Sequence, residues 1–140
     1  MSLVEWIQLP DLGDHRGALV VAEAHKNISF EIKRLYYIFG AQPDLSRGFH
    51  AHKELQQVAF CIQGNCRMLM DNGIKKEEVL LNQSNKVLKI PPMVWHEMHD
   101  FSEDCILLVL ANEYYDEFDS EFTSFFEELR TFSKQKLNEL

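Results

Sequence analysis

Two histidines separated by a single residue, His50 and His52, constrain the fold of this 140-residue chain more than any other feature. On an extended strand the side chains alternate between the two faces, so both imidazoles point the same way and Ala51 points away. About forty residues later the run PPMVWH, residues 91–96, supplies a further histidine. The pattern predicts a β structure in which the imidazoles share one cavity.

This spacing is typical of the cupin pocket. In a metal-binding cupin a glutamate a few residues after the histidine pair completes the ligand set, because three neutral imidazoles and one carboxylate suit a divalent transition metal. Here Gln56 and Gln57 occupy the stretch in which that glutamate is expected. A neutral amide is a poorer ligand than a carboxylate. We therefore expect no metal, and histidines that act as acids and bases.

The composition limits the classes of protein to which the chain can belong. With 46% hydrophobic residues, 140 residues can bury one core, and a single domain is expected over residues 1–140. The net charge of −8 argues against nucleic acid as a partner, because duplex binding needs basic patches. No apolar run approaches the roughly 20 residues that cross a bilayer, and the first ten residues carry no basic leader. We expect a cytoplasmic protein with no membrane partner, whose three cysteines are buried free thiols.

Short β-type segments make up most of the chain. They are rich in β-branched, leucine and aromatic residues and are separated by clusters of Gly, Asn, Asp, Ser and Pro, which is typical of a sandwich or barrel. Hairpins are predicted at residues 63–65 and 71–73, and the Asn-Gly of the second favours a type I′ turn. The predicted strands are 17–24, 30–39, 58–62, 66–70, 79–81, 87–90 and 105–111.

The pattern changes after residue 112. Phenylalanines recur there at helical spacing, which predicts one amphipathic helix that packs on the barrel or on a second subunit. The predicted fold class is all-β, a cupin-type antiparallel β-barrel (jelly roll) over about residues 4–112, with a C-terminal α-helix over about 119–137.

Four runs of residues together carry a specific resemblance to a known family. They are KRLYYIF at 33–39, RGFHAHK at 47–53, VWHEMHDFS at 94–102 and YYD at 114–116. Through them the chain resembles the WxcM-like sugar ketoisomerases, dTDP-4-oxo-6-deoxyglucose 3,4-oxoisomerases that serve the synthesis of 3-amino-3,6-dideoxy sugars. The resemblance extends from about residue 14 to 116. It implies a metal-independent isomerase without a cofactor that acts as a homodimer on a dTDP-sugar.

The reaction implied by this resemblance moves a ketone from C4 of the sugar to C3. A proton leaves C3, an enediolate forms and a proton returns at C4, so two proton-transfer groups and an oxyanion stabiliser suffice. Histidine suits the transfers because its ordinary pKa, about 6.5, lies near neutral pH. The resemblance assigns His50 and His52 as the catalytic pair, with either as the C3 base. Tyr37 is expected to donate a hydrogen bond to the oxyanion.

Further residues are expected to bind the substrate. A diphosphate needs cationic or backbone donors, and guanidinium groups bind phosphate oxygens in pairs, so Arg47 and Arg67 are candidates for phosphate or sugar contacts. Arg16 and His96 match family positions near C4 of the sugar, and their combination resembles the galacto-forming enzymes. The expected substrate-binding residues are Arg16, Arg47, Gln57, Arg67, Trp95 and His96.

A homodimer is also expected from the architecture itself. Small isolated barrels expose edge strands, and a second subunit can cover them. Residues 17–24 or their neighbours are expected near the interface.

Three other functions remain open at this point. A related nucleotide-sugar 3,5-epimerase also uses a barrel and a histidine base, and proton exchange at C5 would distinguish it. A metal-dependent cupin enzyme would take the three histidines and Gln57 as ligands. A non-catalytic sugar-binding module would bind the nucleotide without turnover.

Overall fold

The computed structural model describes residues 2–115 together with Thr131, Gln135 and Asn138. These last three are helical and exposed, but the rest of the predicted helix over 119–137, with its phenylalanines, lies outside the described residues. No helix in the described part of the chain is long and apolar enough to cross a membrane. The strands are β1 (Trp6–Gln8), β2 (Arg34–Phe39), β3 (Arg47–His50), β4 (Gln57–Gln63), β5 (Cys66–Asp71), β6 (Lys76–Leu81), β7 (Lys86–Ile90), β8 (Trp95–His99) and β9 (Ile106–Ala111).

The strands form two antiparallel sheets that enclose the main core. The larger sheet has the order β1-β7-β4-β9-β2 and the smaller one β3-β8-β5-β6. Both contribute to the core between them, for example through Leu107 and Val109 of β9, and Met68 and Met98 of β5 and β8. The predicted all-β, antiparallel architecture is confirmed.

Strand β4 lies at the centre of the larger sheet and is buried on both faces. Ala59 faces the main core, whereas Phe60 faces a second cluster on the outside of the sheet. The chain between β1 and β2 covers that outer cluster with Leu9, Ile28 and Phe30. Each such side chain stabilises the fold by roughly 1.5–3 kcal/mol on burial. Two faces in contact with apolar neighbours explain why β4 reads as a continuous hydrophobic run.

The predicted strand over residues 17–24 is wrong. The segment makes only isolated bridges in the structure, and Leu19 and Val20 are 53% and 36% exposed. No strand among the described residues lies beside it to share a ladder of hydrogen bonds. Strand propensity depends on such neighbours, so the β-type composition was not sufficient. The predicted strand 30–39 starts later, at Arg34, because Phe30 belongs to the outer cluster.

Six of the strands in the described chain overlap the predicted ranges, but β1, β3 and β8 do not. The sequences of β3 and β8, RGFH and WHEMH, carry histidine and charged residues in place of β-branched ones. These polar strands owe their conformation to pairing within the smaller sheet and not to their composition.

Both predicted hairpins are present, but only the first is a two-residue turn. Gly64 and Asn65 join β4 to β5. The second loop has four residues, 72–75, and positive φ occurs in it only at Gly73. The Asp71 side chain accepts a hydrogen bond from the Gly73 amide, and Asn72 Oδ1 accepts hydrogen bonds from the next two amides. The predicted type I′ turn is therefore wrong, because these side-chain acceptors stabilise a longer loop.

The turn glycines give a first prediction. Gly64 and Gly40 both have positive φ, 68° and 65°, where an L side chain costs about 1–2 kcal/mol. A methyl group added at Gly64 would also collide with the Ser102 hydroxyl and lie 2.8 Å from Cys105 Cα, whereas one added at Gly40 meets nothing within 4 Å. We expect Gly40→Ala to lower the free energy of unfolding by about 1 kcal/mol and Gly64→Ala by about 3 kcal/mol. Urea denaturation measures both, and equal losses would contradict the argument.

Candidate functional site

The pairing of β3 with β8 positions two of the three clustered histidines. Phe49 is an extra residue in β3, so the register with β8 shifts between Gly48 and His50. Gly48 and Phe49 both adopt positive φ, 90° and 60°. A bulge of this kind resets the alternation of side chains. Arg47 and His50 therefore both lie on the core side of β3, opposite Met98 and His96 respectively.

His52 lies just beyond the end of β3, and a backbone hydrogen bond holds it beside β8. The Met93 amide donates to the His52 carbonyl oxygen over 2.8 Å. Ala51 points the other way and is buried against Met93 and Trp95. This contact brings the two sequence motifs, His50-Ala51-His52 and residues 91–96, into one site.

The three imidazoles form a compact cluster, as the sequence predicts. The ring centroid of His50 lies 4.9 Å from that of His52 and 4.7 Å from that of His96. The centroids of the His52 and His96 rings are 6.1 Å apart. One ring nitrogen of each lies within 4.8 Å of the others. Such a spacing suits proton transfer between a ligand and two neighbouring rings, and it would also suit a metal ion.

Burial keeps the deepest of these rings neutral. His96 has no exposed surface, and this burial, helped by the neighbouring His50 and His52, lowers its pKa to about 3. The Val94 carbonyl opposes the lowering slightly, although no hydrogen bond of good geometry joins it to the ring. At neutral pH His96 is therefore an uncharged imidazole that can donate one hydrogen bond and accept another.

The facing sheet contributes a tyrosine and an amide to the same interior. The Tyr36 hydroxyl donates to Gln57 Oε1 over 2.9 Å, and Gln57 is only 3% exposed. The Arg34 guanidinium lies 5.5 Å from the centre of the Tyr36 ring. Burial raises the pKa of Tyr36, and the charges of Arg34 and Arg47 partly oppose this. The Tyr36 hydroxyl thus keeps its proton at neutral pH and is a hydrogen-bond donor.

Several buried polar atoms of this interior lack a hydrogen-bond partner among the described residues. They are both ring nitrogens of His96, Gln57 Nε2 and Arg34 Nε. Each such atom costs roughly 1–3 kcal/mol if it stays unsatisfied, and native structures retain few of them. A polar ligand would supply the partners. The candidate site is therefore the interior between strands β3 and β8 of the smaller sheet and strands β2 and β4 of the larger sheet.

Tyr37, the predicted oxyanion donor, lies on the face of β2 away from the histidine cluster. Side chains of β2 alternate, so that Tyr36 and Ile38 pack towards the main core while Tyr37 is 57% exposed on the other face. Of the adjacent tyrosines in the family motif, Tyr36 has the place expected for Tyr37. Because two neighbours on a strand cannot share a face, the sequence indicated that one of the two tyrosines faces inward but not which one.

The predicted arginines lie in three different surroundings. Arg47 is on the core side of β3 and close enough to Tyr36 to affect its pKa. Arg67 lies on the opposite face of the smaller sheet, with ion pairs of 2.8 Å to Asp100 and 2.9 Å to Glu78. Arg16 lies in an exposed loop and pairs with Asp14 over 2.6 Å. Of these three arginines, Arg47 is the one that lies at the candidate site.

Trp95 lies on the face of β8 opposite to His96. Its Nε1 donates to Glu97 Oε2 over 2.7 Å, and Glu97 Oε1 lies 2.8 Å from His99 Nε2. The Phe49 ring packs edge-on against both Trp95 and His99, at 6.5 and 5.7 Å. These four side chains form an outer clamp that holds the β3 bulge. Glu97 was not singled out from the sequence, although its place next to His96 put it on the outer face.

A separate cavity of about 210 Å³ opens beside Gln57. It lies between the N-terminal segment and residues 89–92, with Phe30 and Lys89 in its walls. None of the three clustered histidines lines it. The histidine cluster, and not this cavity, therefore defines the candidate site.

Comparison with protein families gives one match that spans most of the chain. The model for FdtA, described as WxcM-like, C-terminal, matches residues 2–130. A curated relative is the TDP-4-oxo-6-deoxy-alpha-D-glucose-3,4-oxoisomerase of Aneurinibacillus thermoaerophilus. It is 53% identical over 106 residues, which are 76% of this chain and 76% of the relative.

Solved structures of 3,4-ketoisomerases have the same fold. One is a histidine-to-asparagine variant of QdtA from Thermoanaerobacterium thermosaccharolyticum in complex with TDP-4-keto-6-deoxyglucose, with 38% identity, a TM-score of 0.87, and coverage of 94% of this chain and 96% of that one. Another is a 3,4-ketoisomerase from Helicobacter canadensis, with 37% identity, a TM-score of 0.87, and coverage of 92% and 98%. These matches agree with the predicted cupin-type fold.

The neutral state of His96 predicts a pH dependence of stability. An unfolded histidine binds a proton near pH 6.5, whereas the pKa of folded His96 is lowered to about 3. Between these values the unfolded chain holds more protons, so the free energy of unfolding rises with pH by up to about 1.4 kcal/mol per unit and levels off above about pH 6.5.

Urea denaturation between pH 5 and 6.5 measures this slope above the range in which most carboxyl groups titrate. We expect a smaller slope in His96→Asn and an unchanged slope in the control His25→Asn, which alters an exposed residue. The same slope in His96→Asn as in the wild type would show that His96 is not the group responsible.

Proposed function

The chain belongs to the FdtA family of WxcM-like proteins, and we propose that it is an isomerase, a dTDP-4-oxo-6-deoxy-D-glucose 3,4-ketoisomerase that forms a dTDP-3-oxo-6-deoxyhexose. The names of the 53% identical relative and of the structural neighbours support this activity. The observation that carries the proposal is the cluster of His50, His52 and neutral His96 in an interior with unsatisfied polar atoms. That arrangement suits a polar ligand that exchanges protons with imidazoles.

In the proposed reaction one imidazole of the pair His50 and His52 removes the proton from C3 of the sugar. The C3–H electrons form a C3–C4 double bond, and the C4 carbonyl oxygen becomes the enediolate oxygen. The other imidazole carries protons between the two oxygens, and a proton delivered to C4 leaves the ketone at C3. No net oxidation occurs, and the proton count is unchanged. General acid and base groups of this kind typically contribute roughly 10²–10⁴-fold in rate.

The oxyanion needs a donor, and we assign that role to Tyr36. Its protonated hydroxyl lies in the interior and already donates to Gln57. A pre-positioned donor in a dry site stabilises developing negative charge strongly. Gln57 then orients Tyr36, and its Nε2 is a donor for a substrate oxygen. His96 is proposed to bind a sugar oxygen near C4.

The diphosphate is proposed to lie near Arg47, on the open side of the cluster. Arg47 is exposed and sits on the core side of β3. Arg67 and Arg16 would first have to leave their carboxylate partners, so we rank them after Arg47 as phosphate contacts. Trp95 is proposed to support the site through the outer clamp.

Three further points belong to the proposal. The product is of the galacto type, which rests on the presence of both Arg16 and His96 at the family positions near C4 of the sugar. The protein acts as a homodimer, with residues 17–24 near the interface, where exposed Leu19 and Val20 would be covered. The reaction takes place in the cytoplasm, which suits three buried free cysteines.

Incubation with TDP-4-keto-6-deoxyglucose in deuterium oxide, followed by NMR, tests the activity directly. We expect a 3-keto product with deuterium at C4, exchange at C3 in the remaining 4-keto substrate, and no exchange at C5. Exchange at C5 would identify an epimerase, and tight nucleotide binding without turnover would identify a binding module.

Exhaustive chelation should leave the rate unchanged. Loss of activity on metal removal, with recovery on its return, would identify a metal-dependent enzyme.

The catalytic pair is tested by His50→Asn and His52→Asn, with His15→Asn as an exposed control. We expect the first two to bind TDP as the wild type does but to lose roughly 10²–10⁴-fold in turnover, because they lack a proton-transfer group. The variant without the C3 base should also lose exchange at C3. Near wild-type turnover and exchange in both folded variants would remove the pair from the mechanism.

The adjacent tyrosines offer a matched pair for the oxyanion donor. Tyr36→Phe removes the buried hydroxyl, and Tyr37→Phe removes one on the exposed face of the same strand. We expect Tyr36→Phe to lower kcat by roughly 10²-fold or more, the scale of a lost oxyanion donor, and Tyr37→Phe to leave it unchanged. Steady-state kinetics measures both, and the reverse ranking would return the role to Tyr37.

A further inference from the structure

A second group of metal-binding side chains lies in the core, apart from the histidines. Cys61 of β4, Cys66 of β5 and Cys105, just before β9, place their sulfurs together. Cys61 Sγ lies 3.7 Å from Cys66 Sγ and 3.6 Å from Cys105 Sγ, and all three sulfurs lie within 4.8 Å of one another. Each residue is at most 3% exposed. Strands from both sheets thus deliver three thiols to one point.

This sulfur cluster is distinct from the histidine site. Cys66 precedes Met70 on β5 by four residues, and Met70 is the residue that pairs with His96. At about 3.3 Å per residue the two clusters lie roughly 13 Å apart along the strand. Met68 and Met98, which pair with each other, occupy the layer between them. A ligand of the thiols would therefore not contact the histidines.

We propose that Cys61, Cys66 and Cys105 form a binding site for a soft metal ion, with monovalent copper, Cu(I), as the best match. A point equidistant from the three sulfurs lies roughly 2.1–2.4 Å from each, which brackets the length of a metal–thiolate bond, about 2.3 Å. Among the described residues no imidazole or carboxylate joins the three sulfurs. Zinc almost always takes four ligands in structural sites, so three thiolates without a fourth donor fit Cu(I), another ion that thiolates select, better than zinc.

The chemistry of binding is a proton exchange without electron transfer. Burial raises the pKa of Cys105 to about 12, and the hydrogen bond with Cys66 raises the pKa of Cys61, so these two thiols hold their protons when no ion is bound. Cu(I) forms Cu–S bonds as S–H protons leave to solvent, and copper stays monovalent. The backbone amide of Cys66 partly opposes this rise in the pKa of Cys61.

The same observations separate this role from a redox role. Reactive cysteines have lowered pKa values and exposed sulfurs, whereas the pKa values of Cys61 and Cys105 are raised and all three residues are buried. A disulfide would need the 3.7 Å between Cys61 and Cys66 to shrink to about 2.05 Å. Three converging buried thiols suit a closed metal site better than a redox centre.

The cluster lies directly beneath one end of the fold. The Gly64–Asn65 turn covers it, and the segment before Cys105 is tied to that turn because the Ser102 amide donates to the Asn65 carbonyl over 2.9 Å. Opening of this turn gives an ion access to the sulfurs. Once bound, the ion would join β4, β5 and the start of β9, so we expect it to raise the melting temperature.

The test is an anaerobic titration of the full chain with Cu(I) against a competing Cu(I) chelator. Binding is followed by ultraviolet thiolate-to-copper charge-transfer absorption and by the melting temperature. The variants are Cys61→Ala and Cys105→Ala. The controls are Met68→Leu, which removes a neighbouring sulfur and keeps the volume, and His52→Asn, which removes an imidazole.

We expect the wild type and both controls to bind one equivalent of copper, with a higher melting temperature. The cysteine variants lose a direct ligand and should bind at least on the order of 100-fold more weakly, because loss of an outer-shell partner alone costs about 10–100-fold. No binding by the wild type, unchanged binding in the cysteine variants, or loss in His52→Asn would overturn the proposal. Where a cysteine variant does not fold, copper X-ray absorption on the wild type decides. Three sulfur neighbours support the site, and nitrogen neighbours refute it.

Discussion

The bulge in β3 is the constraint on which the candidate site depends. Phe49 takes an extra place in the strand, and without it Arg47 and His50 would lie on opposite faces of the sheet. The positive φ of Phe49, 60°, is unfavourable for a bulky residue. Its ring packs against Trp95 and His99 on the outer face. Packing of the Phe49 ring on the outer face thus offsets the unfavourable backbone conformation. The same bulge turns the His50 imidazole towards the interior.

The two faces of β8 have different roles, because its side chains alternate between the interior and the outer surface. His96 and Met98 face the core, and Trp95 and Glu97 face outward, where Glu97 accepts hydrogen bonds that fix the clamp. Strand β8 therefore supplies His96 to the candidate site and also supplies residues of the outer clamp, which holds β3. A polar strand of this kind is stable only because each face has its own partners.

The interior between the sheets changes character along its length. At one end the buried groups are imidazoles, a tyrosine and an amide with unsatisfied polar atoms, which is costly for folding and useful for binding. At the other end they are methionines and thiols that pack without such a cost. Burial of apolar side chains at the other end and in the outer cluster around Phe60 stabilises the fold and compensates for the unsatisfied polar atoms.

Residue identity and local periodicity determined the fold class of this protein and the presence of its histidine site. The His50-Ala51-His52 spacing, the apolar runs of β4 to β7 and β9 and the hairpin glycines have consequences that act over a few residues, so an all-β fold and a histidine site were predictable. Only the tertiary structure decided that Tyr36 and not Tyr37 faces the site, that residues 17–24 form no strand, and that Arg67 lies outside with Asp100 and Glu78. Each of these depends on which neighbour a backbone or side chain meets across the sheets, and such long-range pairing leaves no periodic trace in a single sequence.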